Sequence, residues 1–163
     1  MNLNTEQVMK ILPHRDPFLF IDSVESITIS GRTLADGETV ESKDLAGAQV
    51  VAHYRTKKDH AIFKGHFPDY PILPGVVQVE MMAQATSFIV FLIHKNPNEM
   101  KMDVALLAVS EAKFRKPVLP EMDLKVVINI LKIRGTIITS ECKLYHNDQL
   151  MSEATVMASL KML

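Results

Sequence analysis

His66 and Glu80 stand fourteen residues apart in the run GHFPDYPILPGVVQVEMMAQ, Gly65 to Gln84, and both are side chains that move protons in general acid–base catalysis. Glu80 is the sole ionisable residue between Val76 and Ile93, on a stretch that reads as a buried helix. Burial disfavours the charged form of a carboxylate, which suits a proton donor; the alternative is a structural carboxylate satisfied by a backbone amide or a charge partner. His66 lies where five prolines and glycines fall within Gly65–Gly75, so its loop is expected to be rigid and to hold the imidazole beside the helix start. Gly75 offers a backbone amide at that helix N-terminus, where negative charge is favoured and no side chain blocks approach, or else simply satisfies loop geometry. Gln84, one turn beyond Glu80, can hydrogen-bond the carboxylate or a ligand, or serve as a satisfied core polar.

The elements that must position these groups follow from periodicity. Asn4 or Thr5 caps a short amphipathic helix over Glu6–Leu12, ended by Pro13. Phe18–Ser30 reads as a strand ending at a Ser30-Gly31 turn, and Ala48–Arg55 as another, with a polar segment and an Asp36-Gly37 turn between them. Pro74 opens a helix over Val76–His94 that is apolar all round and therefore expects burial on most sides. Val104–Phe114, Leu124–Ile133, Thr136–Tyr145 and Leu150–Leu160 are β-rich, with turns at Arg134-Gly135 and His146-Asn147-Asp148. One long helix among five or six antiparallel strands is an α+β arrangement, which a curved sheet rolled around the helix satisfies.

Composition removes several function classes. At 163 residues and 47% hydrophobic content, one domain over residues 1–163 is expected. A formal charge of −1 provides no global field for nucleic acid or an anionic membrane. The one cysteine, Cys142, excludes an internal disulfide and a cysteine-based zinc cluster, and points to a reducing cytoplasm. The first eighteen residues lack a basic start and a continuous apolar stretch, so no export signal is expected. Glu80 near the middle of Val76–Ile93 argues against a membrane span. The six histidines form no metal-ligand motif, and neither metal nor cofactor is expected.

LPHRDPFLFIDSV at Leu12–Val24, the Gly65–Gln84 block and AKFRKPVLP at Ala112–Pro120 resemble, in family order, the FabZ dehydratases of the hot-dog fold. FabA dehydratase–isomerases generally have Asp where this chain has Glu80, so the resemblance lies on the FabZ side. It implies dehydration of a (3R)-3-hydroxyacyl thioester to a trans-2-enoyl thioester in fatty acid biosynthesis, with His66 and Glu80 catalytic and meeting across a dimer interface. The expected substrate-binding set is the Gly75 amide, Val76 and Gln84. The implied partner is an acyl carrier protein bearing a phosphopantetheine-linked chain, with Lys113, Arg115 and Lys116 as candidate docking residues and a solvated strand end as the bland reading. A homodimer is the implied minimum active unit, with a trimer of dimers as a larger option. Met81, Met82 and Phe88 are candidates for either channel wall or core, and His14, Arg15 and Asp22 for anchoring the N-terminal segment. The departures are a segment between Ile21 and Ile62 longer than the family's, with surplus near Ser30–Gly47 expected to bear on the tunnel mouth, docking or oligomer contacts, the stretch KKDHAI before Phe63, and Glu121 where a turn glycine is common. A hot-dog acyl thioesterase and a non-catalytic acyl-binding subunit are the alternatives.

Overall fold

The computed structural model describes residues 2–163. Six antiparallel strands form one sheet: β1 (Ser23–Thr28), β2 (Gln49–Arg55), β3 (Met102–Phe114), β4 (Asp123–Arg134), β5 (Ile137–His146) and β6 (Gln149–Met162), in the spatial order β1-β2-β4-β5-β6-β3. Strand alternation sends Leu124, Val126, Ile128 and Ile130 of β4, Ile138, Cys142 and Leu144 of β5, and Ala154, Val156 and Leu160 of β6 into one core. Bulges between Ile130 and Lys132, between Leu106 and Ala108, and between Ser110 and Lys113 add the twist that curves the sheet. Against its concave face lies α3 (Gly75–Thr86), nine of whose twelve residues are buried. The expected α+β hot-dog architecture is what forms.

The turns carry the register. Asn147 and Asp148 both take positive φ between paired His146 and Gln149, so this short-polar dipeptide closes the β5–β6 hairpin in the geometry that suits twisted strands. Ser30 and Gly31 do likewise between bridged Ile29 and Arg32. The β4–β5 turn falls at Gly135-Thr136, one residue past the expected Arg134-Gly135.

Three expectations change. Val76–His94 is not one α-helix: the α-helix ends at Thr86, whose hydroxyl donates back to the Met82 carbonyl at 3.0 Å, and Ser87–Leu92 continues as a 3-10 helix. A hydroxyl bonded back in this way bends helices, and no proline or glycine marked the change. Phe18–Ser30 is a strand only over Ser23–Thr28, because the backbone groups of Phe18 and Phe20 pair with the Gln84 side chain instead of a neighbouring strand. The loop before α3 begins with a short helix, α2 (Ile62–Gly65), ahead of the proline-rich part. By contrast α1 (Thr5–Ile11) is as expected, with Asn4 and Gln7 forming a reciprocal capping box.

The polar segment after β1 folds back over the far end of the central helix. Val40 N–H donates to the Leu92 carbonyl at 2.8 Å and Leu45 is fully buried, which places this segment at the end opposite Gly75. The span Gly75–Leu92 is long and apolar enough to cross a membrane by composition, yet 83% of it is buried inside the fold, as a core helix should be. Met81, Met82 and Phe88 are fully buried in that core. Truncating Phe88 to alanine is expected to cost about 3–5 kcal/mol, read as a lowered denaturant midpoint at unchanged slope.

Candidate active site

The loop from Gly65 to Pro74 is cross-tied at three points. Ile72 N–H donates to the His66 carbonyl at 2.9 Å, Phe67 and Tyr70 exchange backbone hydrogen bonds at 3.1 and 3.0 Å, and Leu73 N–H donates to the Val118 carbonyl at 2.7 Å. The Ala112–Pro120 block thus buttresses the histidine loop. His66 Nδ1 lies 3.0 Å from the Ile72 carbonyl oxygen, and since a carbonyl only accepts, Nδ1 carries the ring proton. Nε2 of the neutral ring is left with a free lone pair, the state a general base requires. The Phe67 ring stacks on the imidazole at a centroid distance of 4.2 Å and fixes its plane.

His66 opens into a cleft of about 470 Å³ shared with Ile72, Gly75, Val76, Gln78, Phe114, Arg115 and Lys116. Gly75 is the first residue of α3, so its amide is one that helix geometry leaves without an intrahelical acceptor. A Cβ built on Gly75 would sit 2.8 Å from the Phe114 ring, so the absent side chain is what lets ring and helix start approach this closely. Val76 is 78% exposed at the same rim.

Glu80 lies elsewhere. It lines a separate pocket of about 130 Å³ with Pro13, His14, Ala83, Gln84, Ser87, Val104, Leu106 and Ala158. Its side chain is 23% exposed within one chain, so the expected fully buried carboxylate is instead half-buried, on the one face of α3 that the sheet does not close. Gln84 Nε2 donates to Glu80 Oε1 at 2.9 Å and to the Phe18 carbonyl at 2.9 Å, while Gln84 Oε1 accepts from Phe20 N–H at 2.9 Å. Gln84 therefore orients Glu80 and has no donor left over. Its alternative role as a core polar and its role beside the carboxylate are the same role.

Of the three basic candidates, Arg115 and Lys116 border the His66 cleft, and Arg115 is paired with Glu153. Lys113 lines a different pocket, beside Glu111, Glu141, Lys143 and Glu153. Asp22 and Arg15 anchor as expected: Asp22 accepts from Arg55 N–H at 2.8 Å, and Arg15 donates to the Leu12, His14 and Met9 carbonyls. Sequence reasoning missed Gln78, whose Oε1 is buried without a partner among the described residues at the His66 cleft. A lone amide in an apolar run was the available signal. Cys142 is no rival nucleophile, since burial pushes its thiol up to about 12.

A family model described as a FabA-like domain matches residues 12–155. Among curated proteins, the 3-hydroxyacyl-[acyl-carrier-protein] dehydratase FabZ of Sulfurovum sp. is 31% identical over 163 residues, covering 98% of each chain. That of Campylobacter fetus is 34% identical over 97% of each, and that of Clostridium perfringens 38% identical over 83% of this chain and 82% of its own. Among solved structures, the fold matches a dehydratase heterocomplex from Xenorhabdus doucetiae with a TM-score of 0.70 at 18% identity, over 94% of this chain and 90% of that one. It also matches a thioesterase superfamily member from Thermus thermophilus with a TM-score of 0.57 at 18% identity, over 72% and 83%. The two solved structures share the fold, while the curated relatives share the sequence along its length. The chain belongs to the FabA-like family of hot-dog-fold dehydratases, on its FabZ side.

Proposed function

We propose that this chain is a 3-hydroxyacyl-[acyl-carrier-protein] dehydratase whose active site is assembled from two half-sites, the His66 cleft of one subunit and Glu80 of the partner subunit. The observation that carries the reading is that His66 and Glu80 line different cavities of one chain, each open on a side where apolar surface is exposed. β3 is a thirteen-residue edge strand, and Leu106, Leu107, Val109 and Phe114 along it are 40–51% exposed. A long edge strand with exposed apolar side chains invites pairing with a second copy, whereas the β1 edge is partly covered by the Leu3–Val24 bridge. Val104 and Leu106 belong to both the edge strand and the Glu80 pocket, so pairing there closes the site. The dimer is the minimum unit, with a trimer of dimers as a larger assembly and the cytoplasm as the setting.

In the reaction, His66 Nε2 removes the proton from C2 of the acyl thioester. The electron pair of that bond becomes the C2=C3 double bond, and the C3–O bond breaks as the acid form of Glu80 of the partner subunit gives its proton to the leaving hydroxyl, releasing water. Negative charge that builds on the thioester oxygen meets the Gly75 amide at the helix N-terminus. His66 ends protonated and Glu80 ionised, and exchange with solvent restores both. Neither metal nor redox cofactor enters the proposed steps. Arg115 and Lys116 at the cleft rim suit the acidic surface of a carrier protein.

Interconversion of crotonyl and 3-hydroxybutyryl thioesters, followed spectroscopically beside a thioester-cleavage assay, should be lost in His66→Ala and in Glu80→Gln; wild-type rates in either variant refute the pair. Mixing those two inactive variants after reversible dissociation should restore about one quarter of wild-type activity, because half of the dimers are mixed and each has one intact site of two. No recovery in verified mixed dimers places both groups in one subunit. Gly75→Ala, which forces Phe114 aside, should lower kcat/KM by about 10²-fold with little change in melting temperature. Lys116→Glu should raise KM several-fold for a carrier-linked substrate and leave a short free thioester unaffected.

A further inference from the structure

The geometry points to His14 as a positioning residue that, together with Gln84, holds Glu80 by one oxygen so that the other faces the substrate. The inference rests on the reading of Glu80 as the acid of the dehydration. His14 sits in the loop between α1 and β1, outside the Gly65–Gln84 block, and its conspicuous neighbours Arg15 and Asp22 already account for anchoring that loop.

His14 Nε2 lies 3.4 Å from Glu80 Oε1, the same oxygen that accepts from Gln84 Nε2 at 2.9 Å. Oε2 has no hydrogen-bond or ion-pair partner among the described residues. The other ring nitrogen of His14, Nδ1, is sealed from solvent and without a partner among the described residues. A buried N–H with no acceptor is costlier than an unused lone pair, so the ring settles with its proton on Nε2, the nitrogen that lies near Glu80. The Phe18 ring, stacked at a centroid distance of 6.4 Å, limits rotation of the imidazole. Gln84 also donates to the Phe18 carbonyl, so the two residues that hold Oε1 are joined through one loop.

The Gln84 hydrogen bond and the His14 Nε2 3.4 Å away both favour negative charge on Oε1, and the transferable proton therefore resides on Oε2. His14 touches no reacting atom in this arrangement. Its effect is to fix the direction in which Glu80 gives up its proton, which alters turnover and leaves binding of the acyl chain alone.

The test compares His14→Phe, which keeps a ring and removes the donor, with His14→Gln, which keeps a side-chain N–H. In the crotonyl hydration assay His14→Phe should lower kcat by about 10- to 100-fold with KM within about twofold of wild type, and His14→Gln should recover most of that loss. Equal losses in the two His14 variants at matched melting temperatures overturn the inference, as does a rise in KM alone. A fully active Glu80→Gln enzyme overturns the acid assignment instead, which separates the two failures.

Discussion

A primary amide buried to 1% exposure must find partners for its carbonyl and both N–H bonds, and Gln84 does so by reaching out of the helix it belongs to. Its three hydrogen bonds run to the Phe20 amide, the Phe18 carbonyl and Glu80. The Phe20 N–H leaves no freedom in which end of the amide is oxygen, since a backbone donor must meet the carbonyl. With that end fixed, the NH₂ group is fixed too, and one of its hydrogens is aimed at the carboxylate. The loop that enters β1, the central helix and the Glu80 carboxylate are thus held by one side chain. Removing it leaves two backbone groups without their partner and takes the Gln84 hydrogen bond from the carboxylate at once, so the local cost exceeds that of one hydrogen bond.

The same economy of contacts governs the histidine loop. Its prolines remove donors and restrict φ, but what makes the loop a fixed scaffold is the set of ties from Leu73 to Val118 and from His66 to Ile72. Because Nδ1 is committed to a backbone carbonyl, the chemistry of Nε2 depends on backbone geometry eight residues from the helix carboxylate. His66 and Glu80 are therefore held by different elements and line different cavities, one on the loop before α3 and one on its unclosed face. A single sheet cannot wrap both, and the exposed apolar edge of β3 is what remains.

Much of this was legible in the residues. Alternation placed β3 to β6 within two residues at every end, because strands packed on one face carry their period openly. His66, Gly75 and Glu80 stood out as the polar or special positions of a proline-rich loop and an apolar helix. The change from α to 3-10 at Ser87 left no mark, since both helices tolerate the same apolar run and the cause is a single hydroxyl bonded backwards. Phe18–Phe20 read as strand because its side chains suit one, whereas its backbone partners lie sixty-four and sixty-six residues away on a glutamine side chain. Local pattern cannot report a partner of that kind.

Glu80 shows why burial read from sequence must be taken per assembly and not per chain. An apolar stretch of eighteen residues forecasts an enclosed helix, and 83% of it is enclosed, yet the position carrying the charge is where enclosure fails. A carboxylate at a fully closed position would lose its hydration with no substrate to serve, and one on an open surface would act in bulk water. A half-buried carboxylate flanked by apolar Val104, Leu106 and Ala158 occupies the middle ground. Its remaining exposure can be removed by a second apolar surface without moving the helix. On the proposed two-half-site reading, the dehydrated environment that proton transfer to a leaving hydroxyl needs is created by association, so pairing of chains and chemistry become one requirement on β3.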